Sequence, residues 1–279
     1  WATTESLLTD GGMQWAYSEL FQNYSGAEVA GYLDYGLKQS ERVGTYVHYS
    51  ETHDNDRLAK QGRAWSLLRN RLCALASVSG TFGFTSGVEW LAREKINVHR
   101  RSALAWGQAD NLVEEISGLN ALLDEHPSFF DGARLSRLSH PDSPVFALRR
   151  DSAEGVDKVL VLANLDTEME QTFELPVSAY GEMGEPTLDL LERGEPRSPE
   201  RTPDAVRFTV PAAGCFCLAS SATPTGLSGR AYRRARASAA WAVAALGRFL
   251  AEEEIGKVPW RELAEWVDTR PETFLAAVS

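Results

Sequence analysis

The strongest constraint in the sequence is a change of rhythm near residue 130. Upstream of the loop HPSFFDGAR, short β-rich runs alternate with amphipathic helical stretches; downstream, β-rich runs follow one another with no convincing helix between them. Strict strand-helix alternation is how repeated βα units read, because parallel neighbours need a crossover that is usually helical. Successive strands separated by Pro, Gly and acidic turns read as an antiparallel, sandwich-like module. The sequence therefore predicts an α/β part and then an all-β part.

In the first part, GGMQWAYSELF (Gly11 to Phe21) reads as a strand, and GAEVAGYLDYGLKQSE as a helix with Val29, Tyr32, Leu33 and Leu37 in step. VGTYVHYSE (Val43 to Glu51) is a second strand, and Arg57 to Val78 a long helix with Leu58, Trp65, Leu68, Leu72 and Leu75 on one side. GTFGFTSG (Gly80 to Gly87) is a third strand, followed by a helix from Asp110 to Leu123. The second part contains the runs RLSRLSH, PVFALRRD, DKVLVLANLD, QTFELP and AVRFTVPAAGCFCLA. SSATPTGLSG, Ser220 to Gly229, has linker composition, and beyond it come an Ala-rich helix from Arg230 to Ala251 and another from Trp260, with Pro259 in its first turn. The predicted domains are 1–130, 131–220 and 221–279.

Composition narrows the function classes. Lys and Arg number 28 against 39 Asp and Glu, a net charge of −11, so no basic excess is available to hold phosphates and nucleic acid is excluded as a partner. The local run RAYRRARA, Arg230 to Ala237, reads as the solvated face of a helix. No stretch approaches the roughly 18 to 20 apolar residues that span a bilayer, and no signal pattern opens the chain. The chain begins at Trp1 rather than Met, which leads to the expectation that more protein precedes it. Three cysteines, Cys73, Cys215 and Cys217, have no histidine near them in sequence; they read as buried free thiols in a reducing cytoplasm rather than as a metal site. No metal and no cofactor is expected: G-x-S-x-G, a phosphate-binding glycine loop and H-E-x-x-H are all missing.

Dense polar chemistry occurs once, at Glu51-Thr52-His53-Asp54-Asn55-Asp56-Arg57, directly after a predicted strand and before a predicted helix. In a βα barrel that junction lies at the C-terminal face, where active sites are built. A helix N-cap accounts for Asp54 or Asn55 alone, whereas the whole segment is polar.

The segment resembles the conserved stretch of the α-amylase family in which a His-Asp pair closes the seventh barrel strand, with Thr52 where many relatives carry Asn. MQWAYSELFQNY is similar to that family's sixth strand and loop, GTFGFTSGVEW to its eighth strand, and the β-rich part to the domain that follows the barrel. The resemblance implies a fold class of about the last three βα units of a (β/α)8 TIM barrel, then an antiparallel β-sandwich and a helical tail. It implies part of a retaining hydrolase or glucanotransferase acting on α-glucosidic bonds of glycogen, starch or maltooligosaccharides. Asp54 is then the catalytic carboxylate that clamps sugar hydroxyls and stabilises an oxocarbenium-like transition state, and His53 hydrogen-bonds the same ring. Asn55 joins the substrate-binding set. Arg57 either supports the residues that touch the sugar, or contacts the acceptor side, or is a plain helix-start ion-pair partner. Tyr17, with Trp15, Phe21 and Tyr24, either stacks on sugar or belongs to the core, and Glu89 lies on the rim that lines the cleft.

Retaining chemistry also needs a nucleophile and an acid/base about 5 Å apart. The resemblance puts these on the fourth and fifth strands, before Trp1, so the partner of this segment is the upstream barrel half and the chain alone is expected to be inactive. Glu5 and Glu19 are the acids within the chain that compete for the acid/base role. His99, His126 and His140 are expected to be ordinary surface or packing residues. A non-catalytic glucan-binding or scaffolding relative is the alternative.

Overall fold

The computed structural model describes residues 2–279. One compact unit ends at Thr225 and a second spans Gly226–Ser279.

The first unit opens on a helix that the sequence pattern did not announce, α1 (Ala2–Thr9). Then come β1 (Trp15–Ser18), α2 (Gly26–Arg42), β2 (Thr45–Tyr49), α3 (Arg63–Leu75) and β3 (Phe82–Gly83). The three strands form a parallel sheet in the order β1-β2-β3, with Tyr17 opposite Val47 and Tyr49 opposite Gly83. Both crossovers are helical, as parallel pairing requires. A capping box starts α2: Ser25 accepts from the Glu28 amide at 3.3 Å, while the Glu28 carboxylate accepts from the Ser25 amide at 3.0 Å.

The long helix expected from Arg57 to Val78 is shorter at both ends. Leu58–Gln61 forms a 3-10 turn, and Gly62, at φ 101°, takes a conformation that costs other residues dearly, so α3 starts only at Arg63. The strand expected over Gly80 to Gly87 pairs only at Phe82 and Gly83. A long loop then leads to α4 (Val113–Glu125).

Nine strands follow: β4 (Arg134–Arg137), β5 (Val145–Asp151), β6 (Lys158–Asn164), β7 (Gln171–Pro176), β8 (Leu188–Asp189), β9 (Glu195–Pro196), β10 (Glu200–Arg201), β11 (Ala205–Val210) and β12 (Cys215–Ala219). They make two antiparallel sheets, of six strands in the order β4-β5-β6-β12-β8-β9 and of three in the order β10-β11-β7. A helix does intervene after all: α5 (Val177–Glu182), six residues long and too short to show a helical period, buries Tyr180.

Side-chain alternation explains the layering. On β5, β6 and β12, Val145, Ala147, Leu160, Leu162, Phe216 and Leu218 point toward β7 and β11 and share a core with Phe173, Leu175, Val206 and Phe208. The intervening residues Phe146, Leu148, Val159, Val161, Cys215 and Cys217 share the other core with Leu68, Leu72 and Leu75 of α3. A sheet covered on both faces needs continuous apolar strands, which is how KVLVLAN reads, whereas QTFELP and AVRFTV alternate and leave one face exposed.

Arg150 joins the layers. Fully buried, its guanidinium donates to the carbonyls of Leu75 (2.8 Å), Ser77 (2.6 Å) and Ser128 (3.0 Å) and lies over the Phe129 ring. It thereby captures carbonyls that the end of α3 leaves without partners.

The second unit contains α6 (Gly229–Leu246), α7 (Glu252–Ile255), α8 (Trp260–Thr269) and α9 (Pro271–Val278), packed around Ala242, Ile255, Leu263 and Phe274. α6 stops at Leu246, short of the expected Ala251, and Pro259 stands just before the first turn of α8 rather than in it. The basic run lies on α6, where Arg234 pairs with Asp268 at 3.2 Å and Arg236 sits over the Trp260 ring. Among the described residues, no helix is long and apolar enough to cross a membrane.

Candidate active site

Three parallel strands deliver their C-terminal ends to one place. A cavity of about 360 Å³ opens there, lined by Tyr17, Phe21 and Gln22 from the end of β1 and the turn after it, by Tyr49 and Thr52 to Asn55 at and beyond the end of β2, and by Thr85 just past β3. In open and closed parallel sheets alike, this is the end at which loops build binding sites.

The His-Asp pair stands at the mouth. The side chains of His53 and Asp54 are 54% and 82% exposed, with Nε2 and Oδ1 3.4 Å apart. The Asp54 carboxylate is thus open to solvent, while its backbone carbonyl accepts from Lys95 Nζ at 2.7 Å. Thr52 donates its hydroxyl to Asn55 Oδ1 at 2.6 Å, and the Asn55 amide donates back to the Thr52 carbonyl at 3.3 Å, so these four residues form a short self-bonded loop. The aromatic wall is continuous: Tyr17 lies 6.2 Å from Phe21 and 6.0 Å from Tyr49, the latter edge to face.

Beneath this loop the chemistry changes. Glu51 is buried, and its carboxylate faces Arg57 Nε at 2.8 Å, accepts the Leu58 amide at 2.8 Å and accepts the Thr85 hydroxyl. Burial pushes the Glu51 carboxyl above its ordinary range, opposed by Thr85, the Leu58 amide and the Arg57 charge.

Of the residues expected at the site, Tyr17, His53, Asp54 and Asn55 come together around the cavity. Two do not. Arg57 is fully buried, pairs with Glu51, donates to the Ser86 carbonyl at 3.0 Å and is not among the lining residues. Glu89 turns back to accept the Gly87 amide at 2.9 Å and is not among the lining residues. The competing acids are elsewhere. Glu5 pairs with Arg42 on α1 and α2, which lowers its carboxyl, and Glu19 lies outside the lining, its amide donating to the Tyr32 hydroxyl at 2.7 Å. His126 is a buried packing residue with a buried partner, Asp157, at 3.2 Å. Burial alone would raise the Asp157 carboxyl, but the bonds from His126 and Ser128 outweigh it and hold the group below the carboxylate norm.

Sequence reasoning missed Gln22, Tyr49, Thr85 and Lys95. Tyr49 and Thr85 had a usable signal, since both sit at or just past the ends of predicted parallel strands; Lys95, deep in a loop, had none.

With this geometry in place the class can be stated: the chain has a fold found in enzymes of the α-amylase family. It matches a gamma-CGTase from alkalophilic Bacillus clarkii at TM-score 0.56 and 16% identity, covering 77% of this chain and 33% of that one. A maltogenic alpha-amylase, AmyB from Thermotoga neapolitana, matches at TM-score 0.56 and 15% identity over 75% of this chain and 51% of its own. The trehalulose synthase MutB from Pseudomonas mesoacidophila MX-45 matches at TM-score 0.52 and 15% identity, over 77% and 53%. At such identities the likeness is one of fold, and the chain spans between a third and about half of each structure. No protein-family model matches the sequence, and no curated protein does.

Proposed function

We propose that this chain is the closing part of a retaining α-glucan-active hydrolase or glucanotransferase. In this reading β1 to β3 are the last strands of a (β/α)8 barrel, the two antiparallel sheets are the β-sandwich domain that follows it, and the second unit is a helical extension. The upstream barrel half is the partner that completes the site, and glycogen, starch or maltooligosaccharide is the substrate. Three buried free thiols favour a reducing, cytoplasmic setting.

One observation carries the proposal: His53 and Asp54 meet an aromatic-walled cavity at the C-terminal ends of three parallel strands. Aromatic faces suit the apolar faces of pyranose rings, and an open carboxylate suits their hydroxyls. Asp54 stabilises the positive charge that develops at the anomeric carbon, with His53 and Asn55 bonding the same sugar and Tyr17 stacking beneath it. Arg57 and Glu89 are left out of direct contact.

A second reading, a non-catalytic glucan-binding relative, draws on the lining itself. Asp54 is the single carboxylate among the nine described lining residues, whereas retaining chemistry needs a nucleophile and an acid/base about 5 Å apart. Both readings expect this chain to bind maltoheptaose and to lack turnover by itself. Asp54→Asn in the complete protein separates them: a loss of turnover by about 10² to 10³ with folding intact supports the enzyme. Unchanged turnover refutes the role of Asp54, and a complete protein without any turnover favours the binding relative.

A further inference from the structure

The Asp54 loop is gripped from below by a buried ion pair. Glu51 precedes the loop and Arg57 ends it, so the 2.8 Å contact between them closes the chain on itself across Thr52 to Asp56. Glu51 Oε2 adds the Leu58 amide, seven residues on, at 2.8 Å. Oε1 takes the hydroxyl of Thr85, which itself lines the cavity from the β3 side. Arg57 Nη2 reaches the neighbouring Ser86 carbonyl at 3.0 Å. Two loops that line the cavity are therefore tied to one carboxylate and one guanidinium.

Such a pair is a poor way to gain stability. Removing two charges from water costs about what their attraction returns, and apolar residues of the same volume serve as well or better. What a buried, multiply bonded pair does supply is a fixed geometry for the segment it closes. The other ties of the loop lie at the surface: the side chains of His53 and Asp54 are exposed and 3.4 Å apart, Thr52 bonds Asn55, Lys95 bonds the Asp54 carbonyl, and Asp56 pairs with Lys60 at 2.7 Å in an exposed contact.

We propose that Glu51 and Arg57, with Thr85, are positioning residues that hold the Thr52 to Asn55 loop in its glucan-binding geometry. This rests on the glucan reading above. The pair touches no sugar and acts through Asp54 and His53.

The test replaces both charges together, Glu51→Gln with Arg57→Met, so that no buried charge is left alone. Three quantities are measured on the whole chain: melting temperature, amide hydrogen exchange and maltoheptaose affinity. The expected result is a folded variant in which the Asn55 and Leu58 amides exchange at least tenfold faster while those of α3 are unchanged, and maltoheptaose binds at least tenfold more weakly. A folded variant with unaltered Asn55 and Leu58 exchange, or with wild-type affinity, overturns the proposal. If the double variant does not fold, Thr85→Val decides by the same exchange measurement, because it cuts one tie and leaves the ion pair: faster exchange confined to 52–58 supports the clamp and unchanged exchange overturns it. Wild-type chain that leaves maltoheptaose unbound overturns the glucan reading and the ligand role assigned here, and is recognised before any variant is compared.

Discussion

Gly83 is the residue at which a single methyl group should reshape the cavity. It pairs with Tyr49 across β2 and β3, and the Tyr49 ring lies over it: a Cβ built at Gly83 would come within 2.4 Å of Cε1 and Cζ and 2.5 Å of Cε2. Carbon contacts settle at about 3.5 to 4.0 Å, so Gly83→Ala must drive the ring away by roughly 1 to 1.5 Å or bend β3 by as much. That ring lines the cavity together with Tyr17, whose ring centroid is 6.0 Å away, so displacing it alters the lining. Overpacking of this kind costs about 1 to 3 kcal/mol. Thermal unfolding and maltoheptaose titration of Gly83→Ala should therefore show both a lower melting temperature and a weaker affinity. Adding Tyr49→Leu should restore much of the lost stability, because the smaller side chain vacates the space, so the two substitutions are coupled rather than additive. Wild-type melting and affinity in Gly83→Ala, or strict additivity with Tyr49→Leu, would refute the reasoning.

Two further outcomes follow from buried titratable groups. His48, on β2 and fully buried, bonds Ser18 through Nδ1 at 2.8 Å; burial, then the nearby Arg69 charge, push its pKa down to about 4. The unfolded chain thus takes up this proton near pH 6.5 and the folded chain does not, so the stability is present above pH 6.5 and is lost as pH falls toward 4. Denaturant unfolding should show about 2 kcal/mol lost between pH 7 and pH 5 from this group, and His48→Asn should flatten that slope; an equal slope in the variant rules out His48 as its source. Burial also pushes the Cys73 and Cys215 thiols up to about 12 and Cys217 well above its ordinary value. A thiol reagent such as Ellman's should titrate three groups in denaturant and none quickly in the native protein; prompt native labelling would contradict their burial.

What could be read from the sequence depended on whether a feature is local. β1 and β2, α2 and the central antiparallel strands were legible because period alone marks them, and the switch near residue 130 separates the parallel from the antiparallel sheets. His53 and Asp54 were legible for the same reason: strand, polar segment and helix are contiguous, so the C-terminal end of β2 was known before any contact was. The misses turn on which partner a charged side chain finds. Arg57 was left open between a contact at the site and an ion-pair partner, and the structure pairs it with Glu51 and Ser86; Arg150 looks in sequence like any surface arginine, yet it answers to carbonyls of Leu75 and Ser77, more than seventy residues away. Glu89 was expected on the rim, and its carboxylate accepts the Gly87 amide only two residues back. A charged residue in a polar motif is ambiguous between facing the ligand and holding the residue that does. Only the fold decides, and here the outward-facing charge is Asp54 while the inward-facing pair is Glu51 and Arg57. The motif is therefore two devices in seven residues, an exposed pair at the mouth of the cavity and a buried pair beneath it.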